Sequence, residues 1–100
     1  CDYNIALAQT LDKQYVVAEE TVKCLEENGK TLYLQAVIAA RTQDIDKSLK
    51  HLAKAIKKDS KIKKMAKHAD KEANPLYPVP KLMNAKELEK FYYMVAEWDK

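Results

Sequence analysis

Laid over itself with a shift of thirty residues, the chain repeats its pattern of side-chain sizes without a gap. Tyr3 falls on Tyr33, Ala6 on Ala36, Leu7 on Val37, Ala8 on Ile38, Tyr15 on Ile45, Ala18 on Ser48, Val22 on Leu52 and Leu25 on Ala55. Few of the pairs are identical. What recurs is mostly small against small and large apolar against large apolar, at helical spacing. A repeat of this period is one supersecondary unit used twice, and each unit needs its neighbour to bury an apolar face.

Each unit reads as helix, tight turn, helix. In the first, Ile5, Ala6, Ala8, Gln9 and Leu11 recur three and four apart, Asp12-Lys13 breaks the pattern, and Tyr15, Ala18, Val22 and Leu25 resume it. In the second, the break falls at Arg41-Thr42-Gln43-Asp44, and Asp44 is placed to cap a helix over 45–58 by accepting from its free amides. The small residues have a packing reason. Helices cross at 8–10 Å, and the contact tightens where one side carries only a methyl group, so Ala6, Ala18, Ala36, Ser48 and Ala55 mark the expected crossings.

Composition agrees with an all-helical reading. The chain of 100 residues has one Gly and three Pro, and hydrophobic residues are 47% against 33% charged, the balance of a foldable domain. The length allows one core and one domain, 1–100. No apolar run approaches the ~20 residues that would span a bilayer. No signal peptide is recognisable, and a start at Cys1 without Met predicts a mature or excised piece of a longer protein. Cys1 and Cys24 lack metal or redox spacing. Two unpaired thiols are the plain expectation. A bridge is conceivable if residues 2–11 and 14–27 form an antiparallel hairpin, and lipidation of Cys1 is a further alternative.

The spacing of residues 32–60 resembles the tetratricopeptide repeat (TPR) family. Leu32, Ala36, Ala39, Asp44, Ile45, Ser48, Leu52 and Ala55 occupy its pattern positions, with Asp59-Ser60 where Asp-Pro is usual. Residues 2–28 carry the pattern less completely, through Tyr3-Asn4-Ile5-Ala6, Tyr15, Ala18, Val22 and Leu25. The sequence departs from the family in its period of thirty instead of 34, its short connector at Glu27–Lys30, and the lack of Gly at both corners. The resemblance implies a right-handed α-solenoid of antiparallel hairpins, about six helices in all, with repeats at 2–28 and 31–60. It also implies a scaffold that binds a peptide or protein along the concave face of its first helices. Carried onto matching positions, that face presents Tyr3, Asn4, Leu7 and Thr10 from one unit and Tyr33, Leu34, Val37, Ala40 and Arg41 from the other. Tyrosines offer large contact area at low entropic cost, and Arg41 can pair with a carboxylate.

Two repeats leave an apolar face open, so a closing element is expected. Residues 61–72 read as a capping helix through Ile62, Met65, Ala66 and Ala69. Residues 73–83, with Pro75, Pro78 and Pro80, read as an extended linker. A last helix over 84–99 starts with Asn84 and Glu87 at capping-box spacing and carries a stripe of Leu88, Phe91, Tyr92, Val95 and Trp98. That stripe either completes the core or lies in the concave groove.

Catalytic chemistry finds little support. His51 and His68 sit among lysines without ligand spacing, Asp44 and Asp46 suit a helix start, and Gly29 alone makes no phosphate loop. No cofactor or metal is called for. Charge is segregated: residues 1–28 hold six carboxylates against Lys13 and Lys23, whereas residues 47–72 hold ten lysines against Asp59, Asp70 and Glu72. This lysine tract, Lys47 to Lys71, supports an alternative expectation of a basic helical nucleic-acid binder. It has no interleaved aromatics and no recognition-helix pattern, and the chain has one arginine, Arg41. The expectations taken forward are a protein-interaction module, monomeric or weakly homodimeric, from a bacterial envelope or lipoprotein assembly, periplasmic or outer-membrane-associated.

Overall fold

A computed structural model describes residues 1–68 and 79–95. Two helical hairpins come first: α1 (Tyr3–Leu11) with α2 (Tyr15–Lys23), and α3 (Gly29–Arg41) with α4 (Ile45–Lys58). Three shorter elements follow, α5 (Lys61–Lys67), the single turn α6 (Val79–Leu82) and α7 (Ala85–Val95). The described residues are all-helical, with seven helices where the sequence suggests about six. The additional one is α6, and it corrects the expected extended run over 73–83. Pro80 is its second residue, and a proline in a first turn gives up only an amide that has no intrahelical partner there. The rest of that run, 73–78, and the expected extensions of the neighbouring helices to 72 and 99 lie outside the described residues.

Both corners are made by the same backbone device, thirty residues apart. Lys13 and Gln43 stand in the left-handed region at φ 63° and 64°. At the first corner the Gln14 amide donates to the Gln9 carbonyl and the Lys13 amide to Thr10; at the second, Asp44 donates to Ala39 and Gln43 to Ala40. This is a Schellman closure, normally completed by glycine. The chain makes it twice without one.

The starts of α1, α3, α4 and α7 are capped by side chains, whereas Gln14 and Ser60 make no side-chain cap at α2 and α5. Asp2 accepts from the Asn4 amide at 2.8 Å and Asp44 from Lys47 at 3.2 Å. Asn28 and Thr31 cap α3 reciprocally, as do Asn84 and Glu87 for α7, each pair through two bonds of 2.9–3.0 Å.

The small residues lie at the crossings. Ala6, Ala18, Ala36 and Ala55 are fully buried and Ser48 is 2% exposed. The Ser48 hydroxyl reaches the Ala36 carbonyl at 2.9 Å, so α3 and α4 approach closely enough for a side chain to touch the opposite backbone. Gly29 marks an equally close approach: a Cβ there would stand 2.7 Å from Cβ of Asp59.

Two apolar clusters result. Ala6, Ala18 and Val22 meet Leu34 and Ile38, joining the first hairpin to one face of α3. The larger cluster gathers Tyr33, Val37 and Ala40 of α3, Ile45, Leu49 and Leu52 of α4, Ile62 and Ala66 of α5, and Phe91 of α7. Phe91 is 1% exposed and Leu88 packs at the margin, so these two members of the α7 stripe complete the core. Tyr92 falls off the stripe at 52% exposed, with its ring edge-on to Phe91. The side chain of Val95, and Trp98, lie outside the described residues.

Cys1 and Cys24 are joined in a disulfide, with Cα atoms 6.1 Å apart. The hairpin geometry that makes the bridge conceivable is therefore the one adopted, and the expectation of two unpaired thiols is corrected. The Cys1 sulfur is engaged with Cys24 and has no valence left for a thioether.

Candidate partner-binding cleft

The first turns of α1 and α3 and the length of α5 enclose a cleft of about 640 Å³. Its floor is apolar and aromatic: Tyr3 from α1, Tyr33 from α3, and Ile62 and Met65 from α5. Three ammonium groups, Lys30, Lys58 and Lys61, stand around it against one carboxylate, Asp59. Lys30 and Tyr33 are three apart and share a face of α3. The Lys30 Nζ lies over the Tyr3 ring, 4.5 Å from its centre, which fixes the aromatic wall by a cation–π contact between the two hairpins.

The Tyr33 phenol is the unusual group here. The residue is 5% exposed, and its hydroxyl is buried with no hydrogen-bond partner among the described residues. Burial, with the neighbouring Tyr3 phenol adding to it, pushes the hydroxyl up to about 12, and burial raises Tyr3 as well. Both phenols stay protonated and able to donate at any physiological pH.

The sequence-derived site residues divide. Tyr3 and Tyr33 come together in the cleft wall. Asn4, Leu7 and Arg41 are exposed, but none of them lines it. Thr10, Leu34, Val37 and Ala40 are corrected by their burial at 6%, 3%, 4% and 2% exposed. Thr10 spends its hydroxyl on the Ala6 carbonyl at 2.8 Å. Leu34 faces the first hairpin, and Val37 and Ala40 share the cluster filled by Phe91 and α5, so no partner reaches them. Residues of the chain's own later helices, Ile62 and Ala66 of α5 and Phe91 of α7, share the cluster that buries Val37 and Ala40. Lys30, Lys58 and Lys61 are the contributors that sequence reasoning missed. Lys30 carried a usable signal, lying one helical turn before Tyr33, whereas Lys58 and Lys61 depend on how α5 folds back.

A second polar crevice separates the hairpins on another side. His51 lies there among Lys23, Lys47, Lys54, Gln35 and Glu27. Burial pushes the imidazole down, and Lys47 and Lys54 push the same way; its Nδ1 is buried without a hydrogen-bond partner among the described residues. Burial alone would raise the Glu19 carboxyl, but hydrogen bonds and positive charge from Lys47 and Lys23 outweigh it and hold the group below the usual range. Lys47 thus ties α4 to Glu19 of α2 at 3.3 Å. Among the described residues, no group of three or more His, Cys, Asp or Glu side chains is placed to hold a metal. No described helix is long and apolar enough to cross a membrane.

No family model, curated protein or solved structure matches the chain.

Proposed function

We propose that this chain is a protein-interaction module of the kind the tetratricopeptide resemblance implies, taking a peptide or a segment of a partner protein in the α1–α3–α5 cleft. The observation that carries the reading is the meeting of Tyr3, Lys30, Tyr33, Ile62 and Met65, from the leading helices of successive units, around one cavity of about 640 Å³. A concave, mainly apolar site with a few placed polar groups is what a small anchor needs. The three lysines against Asp59 favour an anchor side chain flanked by carboxylates.

The alternative, a basic nucleic-acid binder, draws on Lys50, Lys54, Lys57, Lys58, Lys61, Lys64 and Lys67, all exposed on α4 and α5. One experiment addresses both readings. Backbone amide shifts of the labelled protein are followed while adding a peptide with leucine between glutamates, the same peptide with alanine for leucine, or a single-stranded oligonucleotide. Perturbations centred on Tyr3, Lys30 and Ile62, lost with the alanine peptide and in Lys30→Glu, support the cleft. Binding only by the oligonucleotide, spread over α4 and α5 and falling steeply with salt, replaces the proposal with the alternative.

A further inference from the structure

Packing alone holds α1 weakly. At 9 residues it is shorter than the ~12–15 at which isolated helices persist in water. Its buried side chains are the small Ala6 and Thr10, while Ile5, Leu7 and Leu11 are 52%, 37% and 74% exposed. Toward α2, the Thr21 hydroxyl lies 2.8 Å from the Gln9 side-chain oxygen, but its single proton is contested by the Val17 carbonyl at 3.0 Å. Toward α3, the Tyr3 ring meets Lys30, an exposed residue, in the cation–π contact. By contrast α2 is anchored independently, since Ala18 and Val22 pack with Leu34 and Ile38, and Glu19 pairs with Lys47 of α4. The strong tie on α1 is covalent. Cys1, two residues before Tyr3, is bonded to Cys24 at the end of α2, 23 positions along the chain. Both cysteines are exposed, so a dissolved thiol can reach the bond. A link of this span acts by confining the open states of the chain, and its loss is felt most where other contacts are few.

We infer that the Cys1–Cys24 bond is a redox latch on the cleft: a dithiol reductant opens it, α1 separates from α2 and α3, and Tyr3 leaves the cleft wall. One thiolate of the reductant attacks a cysteine sulfur and breaks the S–S bond, forming a mixed disulfide. The second thiol of the reductant then displaces the protein. Cys1 and Cys24 end as thiols and the reductant as its own disulfide, with two electrons and two protons passed to the chain. Loss of Tyr3 removes one aromatic side of the site and releases Lys30, while Tyr33, Ile62 and Met65 stay with α3 and α5. Reoxidation restores the wall. An effect on ligand affinity rests on the cleft being the binding site; the release of α1 does not.

The test is amide hydrogen exchange on the oxidised chain, the same chain in dithiothreitol, and the double variant Cys1→Ser with Cys24→Ser. The amides from Ala6 to Asp12, at the ends of which Ala6 donates to Asp2 and Asp12 to Ala8, are expected to exchange roughly 100-fold faster in the second and third samples. Those of α3 and α4 should keep their rates. The Lys30 methylene protons, shifted by the Tyr3 ring in the oxidised chain, should move to the positions of a free lysine side chain. Unchanged exchange in α1 overturns the inference. So does acceleration shared equally by α3 and α4, which makes the bond a general stabiliser, or a dithiothreitol effect that persists in the double variant. The peptide with leucine between glutamates is then titrated into the oxidised and reduced chains, and weaker binding after reduction is expected. Equal affinity in both states overturns the control of the site; binding in neither removes the cleft reading, while the exchange rates still decide the latch.

Discussion

Gln43 and Lys13 adopt a conformation that costs an ordinary residue roughly 1 kcal/mol relative to glycine, yet neither corner has glycine. Gln43→Gly is therefore expected to raise stability by about 0.5–1 kcal/mol, read as a higher denaturant midpoint at unchanged slope. The one glycine responds in the opposite sense. Gly29→Ala places a methyl group against Cβ of Asp59, where neither backbone can yield without parting α3 from the α4–α5 link, and a loss of about 1–3 kcal/mol should follow in chemical denaturation. A neutral outcome would mean that this approach is looser than the geometry indicates.

At the scale of elements, Phe91 is the most deeply buried of the described α7 side chains and packs in the larger core cluster. Phe91→Ala should cost about 3–5 kcal/mol, and hydrogen exchange should accelerate across α7 while α3, enclosed by α2 and α4, stays protected. Equal acceleration in both helices would instead make the chain a single cooperative unit. The corners and crossings are legible in the sequence because they depend on local rules: apolar spacing breaks at Asp12-Lys13 and Thr42-Gln43, and methyl-sized side chains at Ala18, Ala36 and Ser48 fit only where helices touch. The occupancy of the groove is not legible there. Val37 and Ala40 have the same local pattern whether a ligand or the chain itself lies above them, and only the return of α5 and α7 decides which. Tyr3 and Tyr33 fall at matching positions of the thirty-residue repeat and both line the cleft, whereas Lys58 and Lys61 reach it through tertiary placement alone.

For the molecule as a whole, acidity is the condition that works against it. His51 has a native pKa below its ordinary 6.5, so the unfolded chain takes up a proton that the folded one refuses; its stabilising contribution is complete above pH 6.5 and is lost as pH falls through the depressed native value. Glu19 acts in the same direction lower down, because its ion pairs with Lys47 and Lys23 weaken as the carboxyl protonates below 4.5. The melting temperature should decline from pH 7.5 to 5.5 in the wild type and decline less in His51→Gln. Parallel declines would assign the acid sensitivity to other groups.

The sulfur link between Cys1 and Cys24 alters how the chain bears load. Its two anchor points sit at the open mouth of the first hairpin, so the segment between them is a closed ring. Traction applied at Cys1 passes through the sulfurs directly to the end of α2, and α1 with its corner carries none of the tension. Under stretching, the oxidised chain should pay out shorter by the length of that ring than the reduced one, and the aromatic wall near Tyr3 should persist until α3 itself gives way.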